Sequence, residues 1–150
     1  GETLSVHLSR DMPAISFDPE HLRRITINLL DNAFRFASRR PQAIQVSSDQ
    51  VDARGRRSVA NLRIWSDGEP LEPSVEQHLF EPFFSSDSRS SGLGLFICRE
   101  LCESQGAGMA YDRNTRIVEG QVRSGNEFSV SFRIRHPAPV AKEALPLPTP

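Results

Sequence analysis

No apolar run in the sequence approaches the roughly 18–20 residues that a helix needs to cross a bilayer, and no signal-peptide pattern is present. An excess of one charge is missing too. The 18 Lys and Arg stand against 19 Asp and Glu, a formal net charge of −1, so nothing draws a nucleic acid or another polyanion. The expectation is a cytoplasmic domain with no nucleic-acid partner and no direct membrane contact, though it could be cut from a membrane protein. Cysteine is scarce. Cys98 and Cys102 are the two present, four apart in one expected helix, and no second His or Cys pair stands at metal spacing. That argues against zinc and for partly buried, reduced thiols.

What remains is ordinary globular composition: 150 residues, 37% hydrophobic and 25% charged, enough for one domain with its own core. The informative stretch is Leu22–Ser38. Asp18 before Pro19 is an N-cap followed by a first-turn proline. At helical spacing Arg24, Asn28, Asp31, Asn32, Arg35 and Arg39 share one arc, and Leu22, Ile25, Thr26, Leu29, Leu30, Ala33 and Phe34 share the other. Asparagine is a mediocre helix former, so two of them a turn apart on the polar face ask for a use.

Strands are expected at Leu4–Ser9, Ala14–Phe17, Ala43–Ser48, Val59–Trp65, Gly108–Asp112 and Glu127–Arg135, with residues 52–58 forming a hairpin connection. A short helix is expected over Ser74–Leu79 and a longer one over Gly92–Gln105, stopped by Gly106. The Phe80–Ser91 stretch has the composition of a mobile loop. The Pro- and Ala-rich segment 136–150 reads as a disordered tail beyond a domain spanning 1–135. The order of elements fits an α/β sandwich with a mixed sheet. The segment Asn114–Gly125 is long for a connection, and the pattern gives it no role.

Four places carry chemistry. Asn28 and Asn32 offer neutral oxygens of the kind Mg²⁺ accepts beside phosphate and water, with Arg35 one turn on; alternatively they are an unliganded polar face. Trp65-Ser66-Asp67-Gly68-Glu69-Pro70 is a tight turn after a strand, where a carboxylate and backbone can meet a base. Phe80-Glu81-Pro82-Phe83-Phe84 is either a hinge under a lid or a loop anchored in the core. Gly92-Leu93-Gly94-Leu95 opens a helix whose amides can receive phosphate, or is simply a closely packed helix start.

In this order the four stretches resemble the N, G1, F and G2 boxes of the ATP-binding catalytic domain of bacterial two-component sensor histidine kinases, within the GHKL ATPase superfamily. The short F-to-G2 spacing and Gly-Leu-Gly-Leu-Phe-Ile-Cys-Arg-Glu-Leu-Cys-Glu-Ser (92–104) are most similar to the nitrogen-regulator and pilus-regulator branch. The resemblance implies an α+β fold: a two-layer sandwich whose mixed sheet carries about three helices on one face. It implies ATP and Mg²⁺ as cofactors, with Asn32 as metal ligand and Asn28 near metal and phosphate. Arg35 and the lid residue Arg89 would face phosphate, and Phe36 would line the nucleotide. The remaining nucleotide-binding positions it assigns are Ser66, Asp67, Gly68, Phe84, Ser91, Gly92, Leu93, Gly94 and Leu95. The partners implied are the dimerisation and histidine-phosphotransfer helices of the same kinase and a cognate response regulator. None of His7, His21, His78 or His136 stands in a His-Glu-x-x-Asn setting, so the phosphoacceptor is expected on a separate segment and the chain is expected to be a fragment.

Gyrase-like and chaperone-like relatives carry a glutamate base at the Asn28 position. An amide does not accept that proton at neutral pH, which favours transfer over hydrolysis. Three positions depart from the family pattern. Ser66 stands where an aspartate accepts the adenine amino group, Pro70 replaces the second G1 glycine, and Ser90 replaces the first G2 glycine. A lost charged acceptor costs about 1.5–3 kcal/mol. Two outcomes stay open: Asp67 swings in to take over, or adenine recognition is degraded and the domain is a scaffolding pseudo-ATPase.

Overall fold

The computed structural model describes residues 1–51, 59–85 and 91–134. Strand β1 (Leu4–His7) leads to helix α1 (Pro19–Phe36), then β2 (Ile44–Val51) and β3 (Val59–Asp67). Helices α2 (Pro73–Glu76) and α3 (Gly94–Glu103) follow, and β4 (Gly108–Arg113), β5 (Arg116–Val118), β6 (Gln121–Arg123) and β7 (Gly125–Arg133) complete the order. Five strands form one sheet in the order β1-β2-β3-β7-β4. β1 pairs with β2 in parallel and every other neighbour is antiparallel. The sheet is mixed, as expected for a parallel pair spanned by a helix beside antiparallel hairpins.

The start of α1 follows its sequence signal. Asp18 Oδ1 accepts from the backbone amides of Glu20 at 2.8 Å and His21 at 3.4 Å, with Pro19 in the first turn. Ile25, Leu29 and Ala33, spaced four apart, are buried against the sheet and α3. Cys98 and Cys102 face them from α3, and Gln105 after that helix ties its carboxamide to the Asp18 amide at 2.7 Å. From the sheet, β7 offers Phe128, Val130 and Phe132 at period two, joined by Ile64 and Ala60 of β3 and Val46 of β2. Phe17 meets Phe132 edge-on at 5.1 Å.

Three expectations change here. Ala14–Phe17 is no strand: only Ile15 forms a single bridge, to Ile134, because the chain turns into α1 too soon for a ladder. Phe34, placed on the apolar arc, is 54% exposed, since the arc buried by α1 narrows to one edge near its end. The thiols are fully rather than partly buried. The connection 52–58, the lid residues 86–90 and the segment 135–150 lie outside the described residues, so the tail and the mobile-loop expectations gain no structural account.

The unexplained Asn114–Gly125 segment is the β5–β6 hairpin, turning at Glu119-Gly120, both at positive φ. It lies over the sheet face away from the helices. Asn114 O accepts from Trp65 Nε1 at 2.6 Å, and the Arg116 guanidinium sits 5.4 Å from the Trp65 ring centroid. Arg116 also reaches Glu127 at 2.5 Å and Gln45 at 2.8 Å. No helix among the described residues is long and apolar enough to cross a membrane.

Candidate functional site

One cleft of about 670 Å³ opens between α1, the end of β3, α2 and the start of α3. Its two halves differ in chemistry. Asn28, Asn32 and Arg35 of α1 face Gly92 and Gly94 at the mouth of α3. Leu71, Val75, Leu79 and Phe128 make an apolar wall that ends at Ser66, Gly68 and Asn126 on the strand ends.

The polar half is arranged around two helices. Asn28 Nδ2 donates to the Gly94 carbonyl at 3.4 Å, which joins α1 to the first residue of α3. Asn32, one turn on and half-buried, borders the cleft with no hydrogen-bond partner among the described residues. Among the described residues no side chain caps α3, which leaves its first-turn amides and positive dipole end to receive an anion. Among the described residues no cluster of three His, Cys, Asp or Glu could hold a metal. Mg²⁺ needs none, because one or two protein oxygens suffice when phosphates and waters complete its shell. Asn32 is a donor of that kind.

The glycines serve different ends. Gly92 lies at φ +75°, and a Cβ there would come within 2.6 Å of the Phe83 carbonyl carbon, while Phe83 N donates to Gly92 O at 2.9 Å. Its glycine is demanded by backbone packing against the Phe80–Phe84 turn. At Gly94 an added Cβ would meet nothing within 4 Å, so its bareness leaves room on the cleft side. The aromatic cluster divides likewise. Phe80 anchors on Phe128 edge-on at 6.3 Å, Phe83 is 77% exposed, and Phe84 borders the cleft.

Asp67 is committed elsewhere. Its Oδ1 accepts from Ser38 N at 2.8 Å, its Oδ2 from Ser38 Oγ at 2.6 Å, and buried Arg123 of the hairpin approaches Oδ2 at 3.4 Å. It therefore borders the cleft with its carboxylate tethered to the exit of α1 and to the hairpin. Ser66, one residue earlier and paired with Asn126, is only 8% exposed, and its hydroxyl has no hydrogen-bond partner among the described residues. The turn beyond is pinned from β7 and β4. Asn126 Nδ2 donates to Glu69 O at 2.9 Å, and Leu71 N donates to the Tyr111 hydroxyl at 3.1 Å.

Residues 17–137 match the family described as "Histidine kinase-, DNA gyrase B-, and HSP90-like ATPase". The chain belongs to this family. The sensor protein kinase PilS of Pseudomonas aeruginosa is 36% identical over 95 residues, covering 63% of this chain and 18% of PilS. The sensor protein KdpD of Escherichia coli is 29% identical over 69% of this chain and 11% of its own length. The chain thus spans less than a fifth of these curated relatives. The catalytic domain of histidine kinase ThkA superposes with a TM-score of 0.69 at 20% identity, over 87% of this chain and 78% of that domain, and shares the fold.

In this ATPase domain the cleft gathers Asn28, Asn32, Arg35, Phe36, Ser66, Asp67, Gly68, Phe84, Ser91, Gly92, Gly94 and Leu95. Leu93 is not among the lining residues: it is the N-cap of α3, and its amide donates to Ser91 Oγ at 3.3 Å. Arg89 lies outside the described residues. Sequence reasoning missed Asp31, Glu69, Ser85 and Asn126, and the apolar wall of Leu71, Val75, Leu79 and Phe128. The four-residue spacing of Leu71, Val75 and Leu79 was the available signal, and the parity of Asn126 with Phe128 on β7 was another.

Burial pushes the Cys98 thiol up to about 12, against the lowering effect of the Asn28 carboxamide, and the Cys102 thiol up to about 11. Native protein at pH 8 is expected to leave a disulfide-type thiol reagent unreacted for as long as it stays folded, and to titrate two thiols in urea. Because burial penalises the thiolates, this pair leaves native stability undiminished below the ordinary thiol value of 9.0 and lowers it progressively as pH rises from there through 11 to 12.

Proposed function

We propose that the domain binds Mg-ATP in this cleft and gives the γ-phosphoryl group to a histidine on separate dimerisation helices of the same sensor kinase, for relay to a response regulator. The observation that carries this is the uncommitted Asn32 carboxamide on α1 set across the cleft from the uncapped start of α3. Asn32 would hold Mg²⁺, which neutralises phosphate charge when bound, and Asn28 and the α3 amides would orient the phosphates. In the transfer the bond from the γ-phosphorus to the bridging oxygen breaks, a bond to an imidazole nitrogen forms, and ADP leaves. Asn28 offers no base to activate water, so slow hydrolysis is expected.

Calorimetric titration with ADP and Mg²⁺ tests the reading. Binding is expected, and Asn32→Ala is expected to weaken it roughly 10- to 150-fold, the worth of a contact to a charged group. The loss should be small when Mg²⁺ is replaced by EDTA. Absence of binding at millimolar nucleotide would overturn the proposal. A second reading, a module that scaffolds without nucleotide, draws on Ser66, on Pro70 and on the engagement of Asp67 by Ser38 and Arg123. Retained docking to the dimerisation helices without nucleotide binding would favour it.

A further inference from the structure

The apolar half of the cleft is a slot for a flat ring, and the polar group at its inner end sets which ring edge it accepts. Asp67 does not perform that role. Its carboxylate is 6% exposed, held by the Ser38 amide and hydroxyl and approached by Arg123. Turning it inward would strip the exit of α1 of its tether and leave a buried guanidinium without that counter-ion. Asn126 is engaged as well: its Oδ1 accepts from the Tyr111 hydroxyl and from Leu71 N, and its Nδ2 donates to Glu69 O. The hydroxyl of Ser66 remains, borne by a residue 8% exposed on the helix side of β3 beside Asn126, and without a partner among the described residues.

A hydroxyl differs from a carboxylate in kind. An ionised carboxylate only accepts, so it welcomes a ring amino group and repels a ring carbonyl, whereas a serine hydroxyl donates or accepts by rotating its proton. Discrimination between two ligands is a difference of affinities, and it needs an unfavourable contact with the wrong one. Ser66 supplies none. We infer that Ser66 makes this site a purine site with little preference between 6-amino and 6-oxo rings, so that hypoxanthine and guanine nucleotides compete with adenine nucleotides. This rests on the nucleotide-binding reading above.

The test compares ADP with IDP, which differ at the 6-position and its neighbouring ring nitrogen, by calorimetry with Mg²⁺ on the 150-residue chain. Wild type is expected to bind the two within about fivefold of each other, since the hydroxyl makes one neutral hydrogen bond to either ring. Ser66→Asp is expected to separate them by roughly 10- to 150-fold in favour of ADP. Ser66→Ala, which adds no buried charge, should weaken both by a similar factor. A wild-type preference for ADP beyond about 30-fold would overturn the inference and leave nucleotide binding standing. It would mean that another acceptor bordering the cleft, such as the Glu69 carboxylate, reads the ring. Failure to bind either nucleotide would instead remove the proposed function itself, and the inference with it.

Discussion

Asp67→Ala is expected to destabilise the domain by about 3–5 kcal/mol, a large part of the roughly 5–15 kcal/mol that holds a typical domain folded. The cost arises at Arg123. This residue is 6% exposed, and its Nε already lacks a hydrogen-bond partner. Its remaining contacts are the Pro41 carbonyl at 3.3 Å and Glu119, itself half exposed, at 3.4 Å. Removing Asp67 leaves a buried cation with weak compensation and frees two Ser38 donors at once. Urea denaturation followed by circular dichroism measures the change. The double variant Asp67→Ala with Arg123→Met should recover much of it, because replacing both members of a buried pair by apolar groups is often nearly neutral. A double variant as unstable as the single one would show that the Ser38 contacts dominate.

Gly125→Ala is expected to cost about 3 kcal/mol, at the upper end of the usual overpacking range. A Cβ on this residue would lie 2.4 Å from Trp65 Cε2 and Nε1 and 2.6 Å from Ser66 O. The indole is fully buried, and its Nε1 is fixed to Asn114 O at 2.6 Å, so it cannot swing aside without giving up that bond. The carbonyl belongs to β3, which pairs with β7 from Val59 to Asp67. Relief therefore requires separating the two central strands at the base end of the cleft. A fall in urea midpoint with unchanged slope, together with a red-shifted Trp65 emission, is the expected signature. Gly94→Ala meets no atom within 4 Å and serves as the contrast: its stability should change little.

Both variants act through the β5–β6 hairpin, the part of the chain the sequence left without a role. Three-residue strands are too short for a periodic pattern to stand out, and their Arg116 and Arg123 look like ordinary solvated charge. Only the neighbouring sheet shows otherwise. Trp65 and Asp67 lie on one face of β3 and Ile64 and Ser66 on the other, so the hairpin reaches the first pair while Ser66 faces the cleft, with Asp67 at its border. The parity was legible from the sequence. That anything covered the face away from the helices was not.

The four boxes were legible for a different reason. Each depends on local chemistry: an N-cap and proline that start α1, asparagines one turn apart, a turn after β3, and glycines before α3. Their physical uses were less so. Gly92 is read in sequence as a place for phosphate to approach, yet the atom that forbids a Cβ is the Phe83 carbonyl carbon, nine residues earlier. Phe34 belongs to the apolar arc by periodicity and stands half exposed, 54% of it open.

By itself the sequence determined the elements that local rules govern: the capped and amphipathic α1, the alternating β2, β3 and β7, the α3 helix with its glycine-rich start, and the order of the boxes that marks the ATPase family. It also named Ser66 as a departure from the family pattern. The tertiary structure alone decided how the residues beside it are held. Whether a neighbouring carboxylate can replace a missing one depends on what already holds it, and Asp67 is held by Ser38, 29 residues before it, and by Arg123, 56 residues after. A side chain is held in place by partners brought together through the fold, so a residue's availability for chemistry is a property of its three-dimensional neighbours and not of its place in the chain.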